Sequence, residues 1–158
     1  MKKIFLLAII ATVCGLAASA MTFDELVEKY SKTEGVQIVE IDSTGMKVNG
    51  VSTPMGDAKQ SITASHVAMM KAVSIEKPSK ALSDNMVADM KTLRLEDEGY
   101  APIVKNNEDG EHAYVYTKGT ADRINSFVVV SVETDEIAIV KAVGDFTSEE
   151  MQNMVKVE

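Results

Sequence analysis

The sequence predicts an α+β domain: an antiparallel sheet with helices packed on one face. Three observations carry that expectation. Two capping boxes mark helix starts near the two ends of the chain. Four β-branched runs joined by turn residues follow one another in the C-terminal half. Helical patterns flank these runs instead of alternating with them, which disfavours parallel βαβ units.

Taken in order, residues 22–34 read as a helix. Thr22 and Glu25 form a T-x-x-E capping box, in which each side chain satisfies an orphan N–H at the helix start. Phe23, Leu26, Val27 and Tyr30 recur at helical spacing and would face a core. Gly35 suits the left-handed position that ends a helix. Val36–Asp42 reads as a strand, Ser43-Thr44-Gly45 as a turn and Met46–Val48 as a short return strand closed by Asn49-Gly50. Residues 49–57 read as loop and 58–70 as a weak helix through Ile62, Val67, Met69 and Met70. Residues 72–76 suit a strand or the end of that helix, with strand preferred. Pro78 stops the segment and Ser79 caps a helix over 80–97, whose stripe is Leu82, Met86, Val87, Met90 and Leu93. Gly99 ends it.

A four-strand meander follows: Ala101–Asn106, His112–Lys118, Ile124–Val132 and Glu136–Val143. Asp109-Gly110 is a strong hairpin signal for its first turn. The last helix starts at a second capping box, Thr147 with Glu150, and Phe146 can staple onto Met151.

Met1, Lys2 and Lys3, the apolar run Ile4–Leu16 and Ala18-Ser19-Ala20 have the form of a secretory signal peptide. Cleavage between Ala20 and Met21 is expected, leaving a single domain over residues 21–158 in the periplasm or secreted. The apolar run falls short of the roughly 20 residues a membrane span needs, so no transmembrane segment is expected in the mature chain. Taking twenty residues and two lysine charges from 158 residues and −8 leaves 138 residues and −10. So acidic a chain repels nucleic-acid phosphates and anionic lipid. The single cysteine, Cys14, leaves with the leader. Bulky Val13 beside it argues against a lipoprotein anchor, and a thiol-free mature chain excludes disulfides, thiolate metal sites and cysteine nucleophiles.

The candidate chemistries each meet a plainer reading. Ser74-Ile75-Glu76-Lys77 and Ser83-Asp84-Asn85 match the S-x-x-K and S-D-N motifs of serine β-lactamases. They lie too close together, with Pro78 between them and no K-T-G downstream. His66, Met69 and Met70 would share a helix face at i, i+3 and i+4, a set that suits copper; the commoner role of such methionines is core filling. The oxygen-rich stretch 106–111 fits a hairpin better than a calcium loop, because Lys105 and Tyr116 fall where carboxylates are required. Carboxylates such as Asp24, Glu25, Glu96 and Glu150 sit at helix starts and turns, where solvated or dipole-facing roles are expected. His112, Tyr114 and Tyr116 alternate along one strand and share a face, read as half-buried sheet.

With Phe23-Asp24-Glu25-Leu26 and Tyr30, Gly99-Tyr100, Tyr116, the run Ile124–Val132 and Gly144-Asp145-Phe146-Thr147, the chain resembles an uncharacterised family of small exported proteins, catalogued as domain of unknown function 4252. That family occurs in anaerobic Gram-negative gut bacteria. The resemblance implies the same α+β order and carries no catalytic residue. It also implies a setting in which Asp-Ser/Thr motifs are O-glycosylated, making Ser43 in Asp42-Ser43-Thr44 a candidate acceptor. The expected function is a non-enzymatic binding or accessory domain of the cell envelope, with no cofactor and with an envelope protein or ligand as partner. The alternatives are a small periplasmic hydrolase using carboxylates or serine, and a copper-binding protein.

Overall fold

The computed structural model describes residues 20–53, 66–108 and 110–155. Helix α1 (Phe23–Tyr30) leads into β1 (Gln37–Asp42), β2 (Gly45–Val48) and β3 (Val51–Thr53). After β4 (Val67–Glu76) come α2 (Lys80–Met90) and a short 3-10 turn (Leu95–Glu98). The chain then runs through β5 (Ala101–Glu108), β6 (Glu111–Gly119), β7 (Ile124–Val132) and β8 (Glu136–Phe146) to α3 (Ser148–Val155). All eight strands join one antiparallel sheet in the order β3-β2-β1-β4-β8-β7-β6-β5. Two meanders, β1–β3 and β5–β8, therefore meet on either side of β4.

The α+β class and the C-terminal meander stand as expected, with differences of detail. Val51–Thr53, expected as loop, forms an edge strand. The helix expected over 58–70 does not hold at its end, since Val67–Met70 is strand; its first part, 58–65, lies outside the described residues. The helix expected over 80–97 stops at Met90, where Lys91 caps it. Leu93 and Leu95 are still buried, because Met21 bridges Leu93 and ties the segment across α1's entrance.

Strand alternation divides the sheet into two unequal faces. Val73, Ile75, Tyr114, Tyr116, Val128, Val130, Val132, Ile137 and Ile139 point to one face. There they pack against Phe23, Leu26, Val27 and Tyr30 of α1, Met86 and Met90 of α2, and Leu93, Leu95 and Tyr100. The opposite face carries a smaller cluster of Ile124, Phe127, Ala142, Phe146 and Met151. Hence α3 sits behind the sheet, away from α1 and α2, which corrects the expectation of helices on one face only. On that same side the register lines up Val104, Val115, Val129, Val140, Ala72, Val39, Val48 and Val51 in one file across all eight strands.

Polar staples hold the main core. Asp89 Oδ2 accepts from Tyr30 Oη at 2.7 Å and from Lys29 Nζ at 2.6 Å, joining α1 to α2. Tyr100 Oη donates to buried Ser126 Oγ at 2.8 Å, and Ser126 Oγ donates onward to the Ala142 carbonyl at 2.9 Å. Tyr116 Oη is buried with no hydrogen-bond partner at ordinary distance among the described residues, and the ammonium of Lys105, 5.3 Å from its ring centroid, is the polar group beside it.

These phenols give two predictions of opposite sign. Tyr30→Phe is expected to lower stability by about 1 kcal/mol, the usual net value of one hydrogen bond. Burial, followed by the Asp89 carboxylate, pushes the Tyr30 phenol well above its ordinary range. The folded chain therefore retains a proton that the unfolded chain releases near pH ~10. That contribution is full below pH ~10 and falls as pH rises further. Urea denaturation across alkaline pH should thus show a shallower loss in Tyr30→Phe than in the parent; identical slopes would refute the assignment. Tyr116→Phe, by contrast, is expected to leave stability unchanged or to raise it by up to about 1 kcal/mol, because it removes an unmet polar group. A loss larger than that in the same denaturation series would mean the hydroxyl has a partner.

Candidate functional site

Two concavities open on the α1/α2 side of the sheet. The larger, about 390 Å³, lies between the start of α2 and the β6 and β7 ends. Pro78 ends β4's trajectory and Ser79 Oγ accepts from Leu82 N at 3.2 Å, so α2 begins beside the ends of β6 and β7. That start presents Lys80, Ser83 and Asp84 to the cleft, while the sheet presents His112, Val132 and Glu133. Lys80 Nζ bonds both Asp84 oxygens, at 3.0 and 2.7 Å, one helical turn apart. His112 Nδ1 lies 3.0 Å from Asn107 Oδ1. An amide oxygen only accepts, so the contact is made by Nδ1–H, which in the neutral ring puts the lone pair on Nε2.

The smaller concavity, about 240 Å³, lies where β1, β4 and β8 meet the start of α1. Lys71 and Lys141 stand directly opposite each other on β4 and β8. Lys71 Nζ is held by Glu40 Oε1 at 2.8 Å, across the β1–β4 pair. Lys141 Nζ lies 5.1 Å from the Phe23 ring centroid and 6.0 Å from that of Tyr100, within cation–π range.

The residues singled out from the sequence are only partly brought together. Ser83 and His112 meet at the larger cleft, a pairing that the sequence spacing did not suggest. Ser74 is elsewhere: it points to the α3 side of the sheet and donates to Glu136 Oε1 at 2.7 Å. The two serines of the β-lactamase-like motifs thus stand on opposite faces. The copper set of His66, Met69 and Met70 is not a helix face. Met69 and Met70 are successive residues of β4 and point to opposite sides of the sheet, while His66 precedes the strand in a left-handed turn at φ 55°. Its Nδ1 is 3.4 Å from Glu150 Oε1. Ser43 is exposed at the β1–β2 turn, where Asp42 Oδ1 accepts from Thr44 N at 2.7 Å and from Gly45 N at 3.2 Å. His112, Tyr114 and Tyr116 do share a face; the two tyrosine rings meet edge to face, 6.5 Å apart. Ala20 and Met21 are described, and residues 1–19, with Cys14, lie outside the described residues. No described helix is long and apolar enough to cross a membrane.

The family described as Domain of unknown function (DUF4252) matches residues 30–154. The chain belongs to that family. The DUF4252 span takes in all eight strands, α2 and both lysines of the smaller concavity, and begins at the last residue of α1. The chain is also similar to thermosome subunit beta of Aeropyrum pernix, 32% identical over 98 residues, which cover 60% of this chain and 18% of that relative. It therefore spans less than a fifth of that protein's length. No solved structure matches the chain.

Lys71 and Lys141 were legible in principle. Ile137, Ile139 and Lys141 alternate on one strand, as do Lys71, Val73 and Ile75 on another. Each lysine continues a core-facing series, and an inward charge at the end of an apolar series is the mark of a site or a buried pair.

Proposed function

We propose that this member of the DUF4252 family is an exported, non-enzymatic accessory domain of the cell envelope that binds a protein or small ligand there. Export rests on the leader-like first twenty residues. Binding rests on one observation: a lysine at the border of each concavity is engaged by a neighbouring carboxylate, Lys80 by Asp84 and Lys71 by Glu40. Such pairs fix the shape and charge of a surface, whereas a general acid or base must be free to reach a reacting atom. The test combines N-terminal sequencing of the exported protein, expected to begin at Met21, with affinity capture from envelope extracts. A partner enriched by the parent and lost with Lys71→Glu would support the reading. No enriched partner, together with turnover of a substrate library, would overturn it.

A serine hydrolase is the second reading, favoured by the cleft that Ser83 and His112 share. With Nδ1 fixed by Asn107, His112 Nε2 could take the Ser83 hydroxyl proton as the serine attacks an acyl carbon. Ester turnover abolished equally by Ser83→Ala and His112→Asn would establish it; turnover indifferent to both would remove it.

A further inference from the structure

Five ionisable side chains border the smaller concavity: Asp24, Glu40, Asp42, Lys71 and Lys141. Three are already satisfied. Lys71 and Glu40 pair with each other, and the Asp42 carboxylate is folded onto its own turn by Thr44 and Gly45. Two are not. Lys141 faces aromatic rings and makes no ion pair among the described residues. Asp24, beside Phe23 at the start of α1, makes no ion pair or side-chain hydrogen bond there either.

One unmatched cation and one unmatched anion thus border a single cavity whose apolar side-chain walls on this face are Phe23 and Met69, with Ile41 and Met70 bordering it from strand positions whose side chains point to the opposite face. A simple anion would meet three carboxylates at the rim. A simple cation would meet two ammonium groups set opposite each other on adjacent strands. A ligand carrying both charges meets neither penalty. The volume of about 240 Å³ lies below the range of roughly 300–1,000 Å³ typical of drug-sized ligands, and suits a molecule the size of one amino acid. The half-buried position of Lys141 strengthens any ion contact relative to water.

We propose that this concavity binds a free α-amino acid with an apolar side chain, its carboxylate at Lys141, its ammonium at Asp24 and its side chain against Phe23 and Met69. Such ligands also suit the Met69 thioether, since a flexible, polarizable methionine adapts to varied apolar shapes. The proposal deepens the binding reading and rests on it; protein capture and small-ligand binding are measured separately and fail separately.

The test is calorimetric titration of the purified chain with L-leucine, and with isocaproate and isoamylamine, which lack its amine and its carboxylate respectively. Leucine is expected to bind saturably, and each analogue at least about tenfold more weakly, the scale of one lost charged hydrogen bond. Lys141→Met should erase the preference for leucine over isoamylamine, and Asp24→Asn the preference over isocaproate. Lys141→Arg, which keeps the charge, should retain binding and separates loss of the site from loss of the fold. The proposal is overturned if leucine, methionine and phenylalanine all give no saturable heat up to about 10 mM. Isocaproate binding as tightly as leucine, or affinity that neither Lys141→Met nor Asp24→Asn changes, would overturn it equally.

Discussion

Replacing Phe127 with alanine is expected to cost about 3–5 kcal/mol of folding stability, the range for deleting a buried aromatic ring, and to release α3 from the sheet. Phe127 is buried on the face opposite α1 and α2, and its ring meets that of Phe146 edge to face at 5.4 Å. The cluster behind the sheet has few other large members, Ile124 and Met151 among them. Little nearby could move into the space left. The remaining ties of α3 are polar and largely exposed: Ser148 Oγ to the Ala121 carbonyl at 3.0 Å, the Thr147–Glu150 capping box, the His66–Glu150 contact at 3.4 Å, and the Arg123–Asp145 pair next to the helix. Contacts of that kind contribute little in water. Urea denaturation would read the loss, and amide exchange over residues 148–155 would read the release. A cost under about 1 kcal/mol, or unchanged protection of α3, would show that the helix is held by something other than this cluster.

Gly144→Ala is expected to be nearly as damaging, at about 3 kcal/mol or more, toward the upper end of overpacking costs. Gly144 lies in β8 opposite Val67, just before the bulge that displaces the register between Val67 and Met69. A Cβ at this position would overlap the His66 carbonyl and the Phe146 ring. The backbone angle of Gly144 is not in the left-handed region, so the whole effect is steric. The carbonyl in question also accepts from Asp145 N at 3.2 Å, and exchange of that amide should accelerate together with the loss of stability. Stability within about 1 kcal/mol of the parent would mean that the start of β4 yields easily.

Legibility from the sequence follows how local each signal is. Both capping boxes formed: Glu25 Oε2 accepts from Thr22 N at 2.9 Å, and Glu150 Oε2 from Thr147 N at 2.7 Å. Hydrogen bonding to Thr22 and to Thr147 holds the two glutamates below the usual carboxylate range. Gly99 is left-handed at φ 87°, but it ends the 3-10 turn Leu95–Glu98 and not the helix it was expected to close, which stops at Met90. The strand β4 was harder to read because it is central, with neighbours on both sides and apolar residues on both faces. A continuous apolar run such as Val67–Met70 does not distinguish strand from helix by periodicity. The edge strand β3 is three residues long amid turn residues, below what pattern can register. The candidate sites were the least legible. Ser83 and His112 come from different elements, and only the packing of α2 on the sheet brings them to one cleft.

The two meanders have a consequence for the order in which the molecule can be completed. Most strand pairs join neighbours in the chain, but β4 finds its second partner in the last strand; Ser74 and Glu136, bonded across that seam, are 62 positions apart. Such long-range pairing carries a loop-closure cost that delays it, so until β8 exists the molecule is two separate ribbons. Lys71 and Lys141 stand on the two sides of that seam. The smaller concavity therefore exists only in the finished sheet, and a ligand that occupies it favours the folded chain by mass action. Its concentration in the surrounding compartment would then set how much of the protein survives there.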